Sequence, residues 1–178
     1  QATRTIPIVM SLVLDPVGIG LVASLARPGG NVTGTSFMAP DLVGKHLELL
    51  KEVVPKVSRV ALLLHPANPG SAPILREAEA AARNLGVRLQ TLEARDPQEI
   101  DSAFAAMTRG RAAALVVLAD SILLNQRRQI AELAAERRLP AVYGPSEHAE
   151  AGGLMAYSAN LPDLYRRAAT YVDKILKG

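Results

Sequence analysis

Short, almost continuously apolar segments alternate along this chain with longer segments of helical periodicity. Two of the apolar segments, residues 60–64 and 114–118, contain no polar residue at all. Strands that are apolar on both faces are typical of parallel sheets covered by helices on each side. The alternation therefore predicts an α/β fold with a doubly wound parallel sheet and helices on both faces.

The same pattern predicts the strands and their order. The predicted strands are residues 6–13, 32–36, 57–64, 87–93, 113–119, 141–143 and 154–158. Five of them, from residue 57 onward, are separated by helical segments, and for these we expect the strand order 2-1-3-4-5. Among the helices, the pattern predicts one that Asp41 caps, a continuous one over residues 122–138, and a last one from about residue 160. The last helix is expected to bury Leu164, Ala168, Val172 and Ile175.

The segment before residue 57 is organised differently from the rest. It contains one strand, a short helix, the cluster Pro-Gly-Gly-Asn at residues 28–31 and another strand. Such a cluster is typical of a tight turn or hinge. We therefore predict that residues 1–30 form a crossover or hinge with a remnant of a first lobe, and that residues 31–178 form a second, ligand-binding lobe.

Composition argues against several classes of protein. The chain has no cysteine, which excludes disulfides, thiolate metal sites and a cysteine nucleophile. Its 20 Lys and Arg are interspersed with 17 acids, and only two Phe and four Tyr are present, so the features of a nucleic-acid interface are missing. No two of the three histidines have metal-ligand spacing. We expect no metal, no cofactor and no nucleic acid, and a partly buried, structural His46.

Enzyme motifs are weak. Gly18, Gly20 and Ala23 fit G-x-G-x-x-A, but the acid that a dinucleotide fingerprint requires about 20 residues later does not end the next strand. The tripeptide at residues 146–148, Ser-Glu-His, is not a triad, because triads assemble across a fold. We expect no catalytic residues, and a nucleotide-dependent enzyme is the least favoured alternative.

Polar residues gather at the ends of the predicted strands. In open α/β sheets the carboxyl edge forms the ligand crevice, and helix N-termini offer free amides there. The candidate ligand-binding residues are Asp15, Thr35, Ser36, Asn68, Ser71, Asp120, Ser121, Tyr143, Glu147 and Tyr157. We expect Ser36 and Ser71 to lie near an anionic group of the ligand, and Asp120 or Glu147 to face an ammonium. The alternative is that these residues are only caps and turns.

Several segments carry a family resemblance. The most specific are Arg-Pro-Gly-Gly-Asn-Val-Thr-Gly at residues 27–34 and Glu-Ala-Gly-Gly-Leu-Met-Ala-Tyr at residues 150–157, and residues 45–55 and 65–69 add to them. Together they resemble the ABC transporter substrate-binding protein family, which includes tryptophan- and tyrosine-binding members. The resemblance extends over essentially all 178 residues.

This resemblance implies a fold like that of the type I periplasmic binding proteins, in which two lobes close on a ligand without a covalent step. It implies a small polar solute such as an amino acid, an ABC permease in the inner membrane as partner, and a periplasmic or lipid-anchored extracytoplasmic location. It also implies that most of the first lobe precedes this chain. A ligand-sensing domain of a regulator or receptor is the alternative function left open. A homodimer of the chain is left open as a further partner.

Overall fold

The computed structural model describes residues 3–14, 16–37 and 39–177. In chain order the elements are β1 (Ile8–Leu14), β2 (Val32–Phe37), α1 (Ala39–Val53), β3 (Arg59–Leu64), α2 (Ser71–Leu85), β4 (Arg88–Glu93), α3 (Pro97–Arg109), β5 (Ala114–Val117), α4 (Ser121–Asn125), α5 (Arg127–Glu136), β6 (Ala141–Tyr143), α6 (Glu147–Glu150), β7 (Met155–Ala156) and α7 (Leu161–Lys177). They form two compact units. The first unit is Gln1–Met38 with Ala159–Gly178, and the second unit is Ala39–Ser158.

The second unit contains a five-stranded sheet in which every neighbouring pair is parallel. The strand order is β4-β3-β5-β6-β7, which is the predicted order 2-1-3-4-5. The central strands β3 and β5 are buried almost throughout, as their apolar sequences require. The predicted fold class is therefore confirmed. The carboxyl ends of all five strands meet at one edge of the sheet, where the loops that follow them are brought together.

One apolar cluster under this sheet shows how the helices cover it. Phe104 and Ile100 of α3 are fully buried and belong to the same cluster as Leu63 of β3 and Leu115 of β5. The start of α3 follows its sequence signal, since the Asp96 side chain accepts a hydrogen bond from the Glu99 amide at 2.8 Å. This cap fixes where α3 begins and thereby which of its faces meets the sheet.

Two predicted helices of the second unit need correction. The helix predicted over residues 122–138 is two helices, α4 and α5, because Gln126 leaves the helical conformation (φ −97°, ψ 17°). Neither proline nor glycine occurs at this break, so the sequence carries no signal for it. Helix α1 begins at Ala39, so Asp41 lies inside its first turn and not at its cap.

The first unit consists of the parallel pair β1 and β2, against which α7 packs. Met10, Val22 and Val32 form its small buried core. The backbone of Met10 lies directly against Gly34, whose φ of +136° and lack of a Cβ permit this approach. Strand β2, which the sequence analysis placed in the second lobe, thus pairs with β1. The lobe boundary near residue 30 stays a prediction.

The first unit also departs from two expectations. Residues 16–30 form turns and bends where a short helix was predicted, because Gly20 and Gly29 adopt left-handed conformations that end helices. The Gly-x-Gly segment therefore does not open a helix. In α7, Ala168 is buried as predicted and Leu164 is half-buried, but Val172 and Ile175 are exposed by 43% and 38% where burial was predicted. Among the described residues, no helix is long and apolar enough to cross a membrane.

Candidate functional site

The side chain of Asp120 lies where β5 ends, at the carboxyl edge of the sheet of the second unit. One carboxylate oxygen accepts the Ile122 amide hydrogen at 2.8 Å and so caps α4. The other accepts a hydrogen bond from the Asn68 side-chain amide at 2.9 Å, and His65 Nδ1 lies 3.4 Å from it. Only 6% of the Asp120 side chain is exposed. The sheet edge therefore holds a buried carboxylate in a fixed orientation.

Asn68 joins the loop after β3 to the loop after β5. While its amide nitrogen donates to Asp120, its oxygen accepts the Gly70 amide hydrogen at 2.9 Å, immediately before α2. The Ser71 hydroxyl donates to the His65 carbonyl at 2.8 Å, which closes the same loop. These contacts bring together three predicted site residues, Asn68, Ser71 and Asp120. They also order the N-terminus of α2, a 15-residue helix.

None of the described partners of the Asp120 carboxylate carries a permanent positive charge. The donors to Asp120, an amide side chain and a backbone N–H, are neutral, and His65 adds a positive charge only when it is protonated. A carboxylate has about four acceptor positions, so these contacts leave capacity for a further donor. A buried carboxylate is also stabilised by a cation. The edge is therefore suited to a positively charged group that donates hydrogen bonds.

Three further predicted residues lie along the same edge. Ser121 is exposed at the start of α4, and Glu147 is half-buried at the start of α6. Tyr157 follows β7, and 43% of it is exposed. The strand ends thus bring these residues to one edge, while only Asn68, Ser71 and Asp120 share the hydrogen-bond network around His65.

Tyr143 ends β6 but lies in the core. Its ring is fully buried and stacks on His148, with 4.9 Å between ring centroids and 17° between ring planes. Burial raises the pKa of Tyr143 to about 12 and lowers the pKa of His148. Gly153 allows this arrangement, because a Cβ at that position would lie 2.6 Å from the Tyr143 ring and 2.7 Å from the His148 carbonyl oxygen. Tyr143 also lines a cavity of about 300 Å³ with Gly152 and Leu154, and its predicted role in a ligand site stays a prediction.

The buried His46 of α1 contacts the strand end at Tyr157. Its Nε2 lies 2.6 Å from the Tyr157 carbonyl oxygen, and the two rings meet edge to face with centroids 6.2 Å apart. Burial lowers the pKa of His46, although the hydrogen bond to Tyr157 opposes the shift. The apolar periodicity around residue 46 predicted its burial, but no local signal pointed to its partner 111 residues later.

The remaining predicted residues belong to the first unit or lie outside the described residues. Thr35 and Ser36 are in β2 and line a cavity of about 470 Å³, together with Arg167 and Lys174 of α7. Asp15 is outside the described residues. For these three residues the predicted role in a ligand site stays a prediction.

Comparison with known proteins identifies relatives over the full chain. A protein-family model described as ABC transporter substrate binding protein matches residues 1–178. A tyrosine-binding protein of Clostridioides difficile (strain R20291) is 27% identical over 179 residues, which cover 100% of this chain and 51% of that protein. A crystal structure of an ABC domain in complex with L-Trp from Streptococcus pneumonia is 28% identical, with a TM-score of 0.86 over 99% of this chain and 59% of the other.

A periplasmic sugar-binding protein from Legionella pneumophila shares the fold alone. It is 12% identical, with a TM-score of 0.59 over 86% of this chain and 59% of the other. The chain thus spans about half the length of the tyrosine-binding relative and 59% of each of these two structures.

Proposed function

The chain belongs to the ABC transporter substrate-binding protein family, and we propose that it supplies part of the surface with which such a protein captures an amino acid for import. Two relatives support the ligand class, since one is named for tyrosine binding and another was crystallised with L-Trp. Capture involves no covalent step in this proposal. An ABC permease as partner and an extracytoplasmic location follow from the same proposal for the whole protein.

The observation that carries the proposal is the buried Asp120 carboxylate, whose closest donors leave its charge uncompensated when His65 is neutral. The ammonium group of an amino acid supplies both the missing charge and further hydrogen-bond donors. In this arrangement Asn68 and His65 orient the carboxylate. Because Asp120 is shielded from water, its attraction to an ammonium is stronger than it would be at an exposed surface.

The carboxylate of the ligand requires a separate contact. Helix α2 begins at Ser71, in the same network, and its N-terminus favours negative charge through the helix dipole. The Gly70 and Ser71 amides already donate to Asn68 and Pro73 has no N–H, so the dipole and not a set of free amides is what this end offers. Opposite charges on the protein at these two places match the zwitterion of an α-amino acid. This match favours an amino acid over a neutral sugar, whose hydroxyls could donate to Asp120 but would compensate neither charge.

Calorimetric titration of the full-length protein tests the proposal. The ligands are tyrosine, tryptophan and leucine, together with the tyrosine analogue that lacks the amino group, 3-(4-hydroxyphenyl)propionate. We expect Asp120→Asn to weaken amino-acid binding about tenfold or more, because it removes the charge and keeps the size of the side chain. The analogue is expected to bind weakly to the reference protein and to lose little further in Asp120→Asn.

Asp96→Asn is the matched control. Asp96 also caps a helix through one 2.8 Å hydrogen bond, but it is exposed and caps α3. This variant is expected to bind like the reference. Unchanged amino-acid affinity in a folded Asp120→Asn protein would contradict the proposed ammonium contact. If the reference protein binds none of the three amino acids, the proposed ligand class is contradicted.

A further inference from the structure

We infer that His46 is a positioning residue that holds Tyr157 as a flat aromatic surface, against which the side chain of an aromatic amino acid packs. This inference rests on the proposed function and narrows its ligand class. It concerns contacts inside the second unit, between α1 and the residues that follow β7.

The backbone of Tyr157 is held from two directions. Its amide hydrogen is donated to the Tyr143 carbonyl at 2.9 Å, which continues the pairing of β6 and β7. Its own carbonyl oxygen lies 2.6 Å from His46 Nε2. The strand β7 is only two residues long, so strand pairing alone gives this segment few hydrogen bonds. The contact from His46 therefore adds a restraint at the point where the strand ends.

The same histidine also orients the ring of Tyr157. The two rings meet nearly at right angles, at 88°, with centroids 6.2 Å apart. This edge-to-face geometry is one of the preferred arrangements of aromatic pairs. One ring is buried, since His46 is 4% exposed, and the other is 43% exposed. A buried ring thus supports a partly exposed one and leaves part of its surface free for another molecule.

The chemistry of His46 fits this structural role. A carbonyl oxygen only accepts hydrogen bonds, so Nε2 must carry the hydrogen. Burial lowers the pKa of His46, which favours the neutral ring, and in the neutral ring the contact with the carbonyl requires the proton on Nε2. Asparagine or glutamine could donate the same hydrogen bond, but neither would supply the edge of an aromatic ring to Tyr157.

Tyr157 is also distinguished from the other rings of the second unit. The second unit, all of whose residues the structure describes, contains Phe104, Tyr143 and Tyr157, and the first two are fully buried. The single exposed ring thus lies at the carboxyl edge of the sheet that also holds Asp120. A half-exposed tyrosine that is anchored at both backbone groups can stack on a planar ligand with little loss of its own conformational entropy.

The test compares aromatic with aliphatic ligands in the full-length protein. Tyr157→Leu is expected to weaken tyrosine and tryptophan binding about three- to tenfold and to weaken leucine binding much less, because leucine has no ring to pack on Tyr157 and an aromatic contact has about this strength. Tyr157→Phe keeps the ring and is expected to bind like the reference. His46→Leu removes both the donor and the ring edge, and the same selective loss is expected. In a protein that already carries Tyr157→Leu, His46→Leu is expected to cause no further loss of affinity for tyrosine or tryptophan.

Direct observation of His46 gives a second test that does not depend on a folded variant. Nitrogen-15 NMR of the unmodified protein is expected to show the neutral Nε2–H form at pH 7, and resonances that shift on addition of tyrosine. The inference is overturned if Tyr157→Leu loses tyrosine and leucine affinity equally, if it loses neither, or if His46 carries its proton on Nδ1. In each of these cases the proposed amino-acid site at Asp120 still stands. If the reference protein binds no amino acid, the proposed function fails first.

Discussion

Replacing Asp120 with alanine separates its role as a helix cap from its role in joining two loops. Asp96 provides the comparison, because both aspartates have extended backbones and accept one backbone amide hydrogen at 2.8 Å. Loss of such a cap costs about 1 kcal/mol of folding free energy. Asp120 differs because it also accepts the hydrogen bond from Asn68, and because its side chain is 6% exposed.

The difference sets the expected magnitude. Without Asp120 the partly buried Asn68 amide loses its acceptor, and a buried donor left without a partner costs about 1–3 kcal/mol. We therefore expect Asp120→Ala to lower the free energy of unfolding by about 2–4 kcal/mol, against about 1 kcal/mol for Asp96→Ala. The loss of unfolding free energy in Asp120→Asn should lie between these two values, since the one remaining side-chain oxygen cannot accept hydrogen bonds from both Ile122 and Asn68 in good geometry.

Urea unfolding of the full-length protein measures these differences, provided that the dependence on denaturant is the same in each variant. Amide hydrogen exchange locates them, because the Ile122 amide should lose protection in Asp120→Ala and the Glu99 amide in Asp96→Ala. Equal losses of stability in the two alanine variants would refute the reasoning, since the contact with Asn68 would then contribute nothing.

Two further predictions concern the packing around Tyr143. Gly153→Ala is expected to destabilise the protein by about 1–3 kcal/mol, because the added Cβ would lie 2.6 Å from the Tyr143 ring. Gly44→Ala is the control and should stabilise helix α1 by about 0.5–1 kcal/mol, because its nearest neighbour would be 3.7 Å away. Thermal melting distinguishes the two variants, and a Gly153→Ala protein that is as stable as the reference would contradict the close packing of Gly153 against Tyr143. Burial lowers the pKa of His148 below its usual 6.5, so the unfolded state binds its proton first and stability should fall as the pH drops below 6.5. His148→Phe should reduce the fall in the free energy of unfolding between pH 7.5 and pH 5, which urea unfolding at the two pH values measures. The same fall in the variant and in the reference protein would contradict this prediction.

The fold was predictable from the sequence because its main elements depend on local patterns. The apolar runs that form β3 and β5 must be buried on both faces, and this places them at the centre of a parallel sheet. The break at Gln126 was not predictable, because no residue there is incompatible with a helix. The exposure of Val172 was not predictable either, because the apolar period of α7 is the same whether or not another surface covers that face.

The sequence predicted which strand ends the candidate site residues follow, but not which of their side chains contact one another. Asn68 and Asp120 were placed at one edge because parallel strands end there, yet their hydrogen bond depends on the geometry of two loops 52 residues apart. Tyr143 was selected by the same rule, and here the rule did not give the direction of the side chain. The ring turns inward over His148, because Gly153 leaves space for it.

The two border strands of the five-stranded sheet bear on how copies of this protein can associate. The border strand β4 carries Arg88 and Glu93 at its ends, both exposed, and the opposite border, β7, is two residues long. Charged or very short border strands are poor templates for an incoming strand. Growth of this sheet from one molecule into the next is therefore disfavoured at both borders, and a dimer that joins two copies of the second unit would have to use side-chain surfaces instead of pairing of these strands.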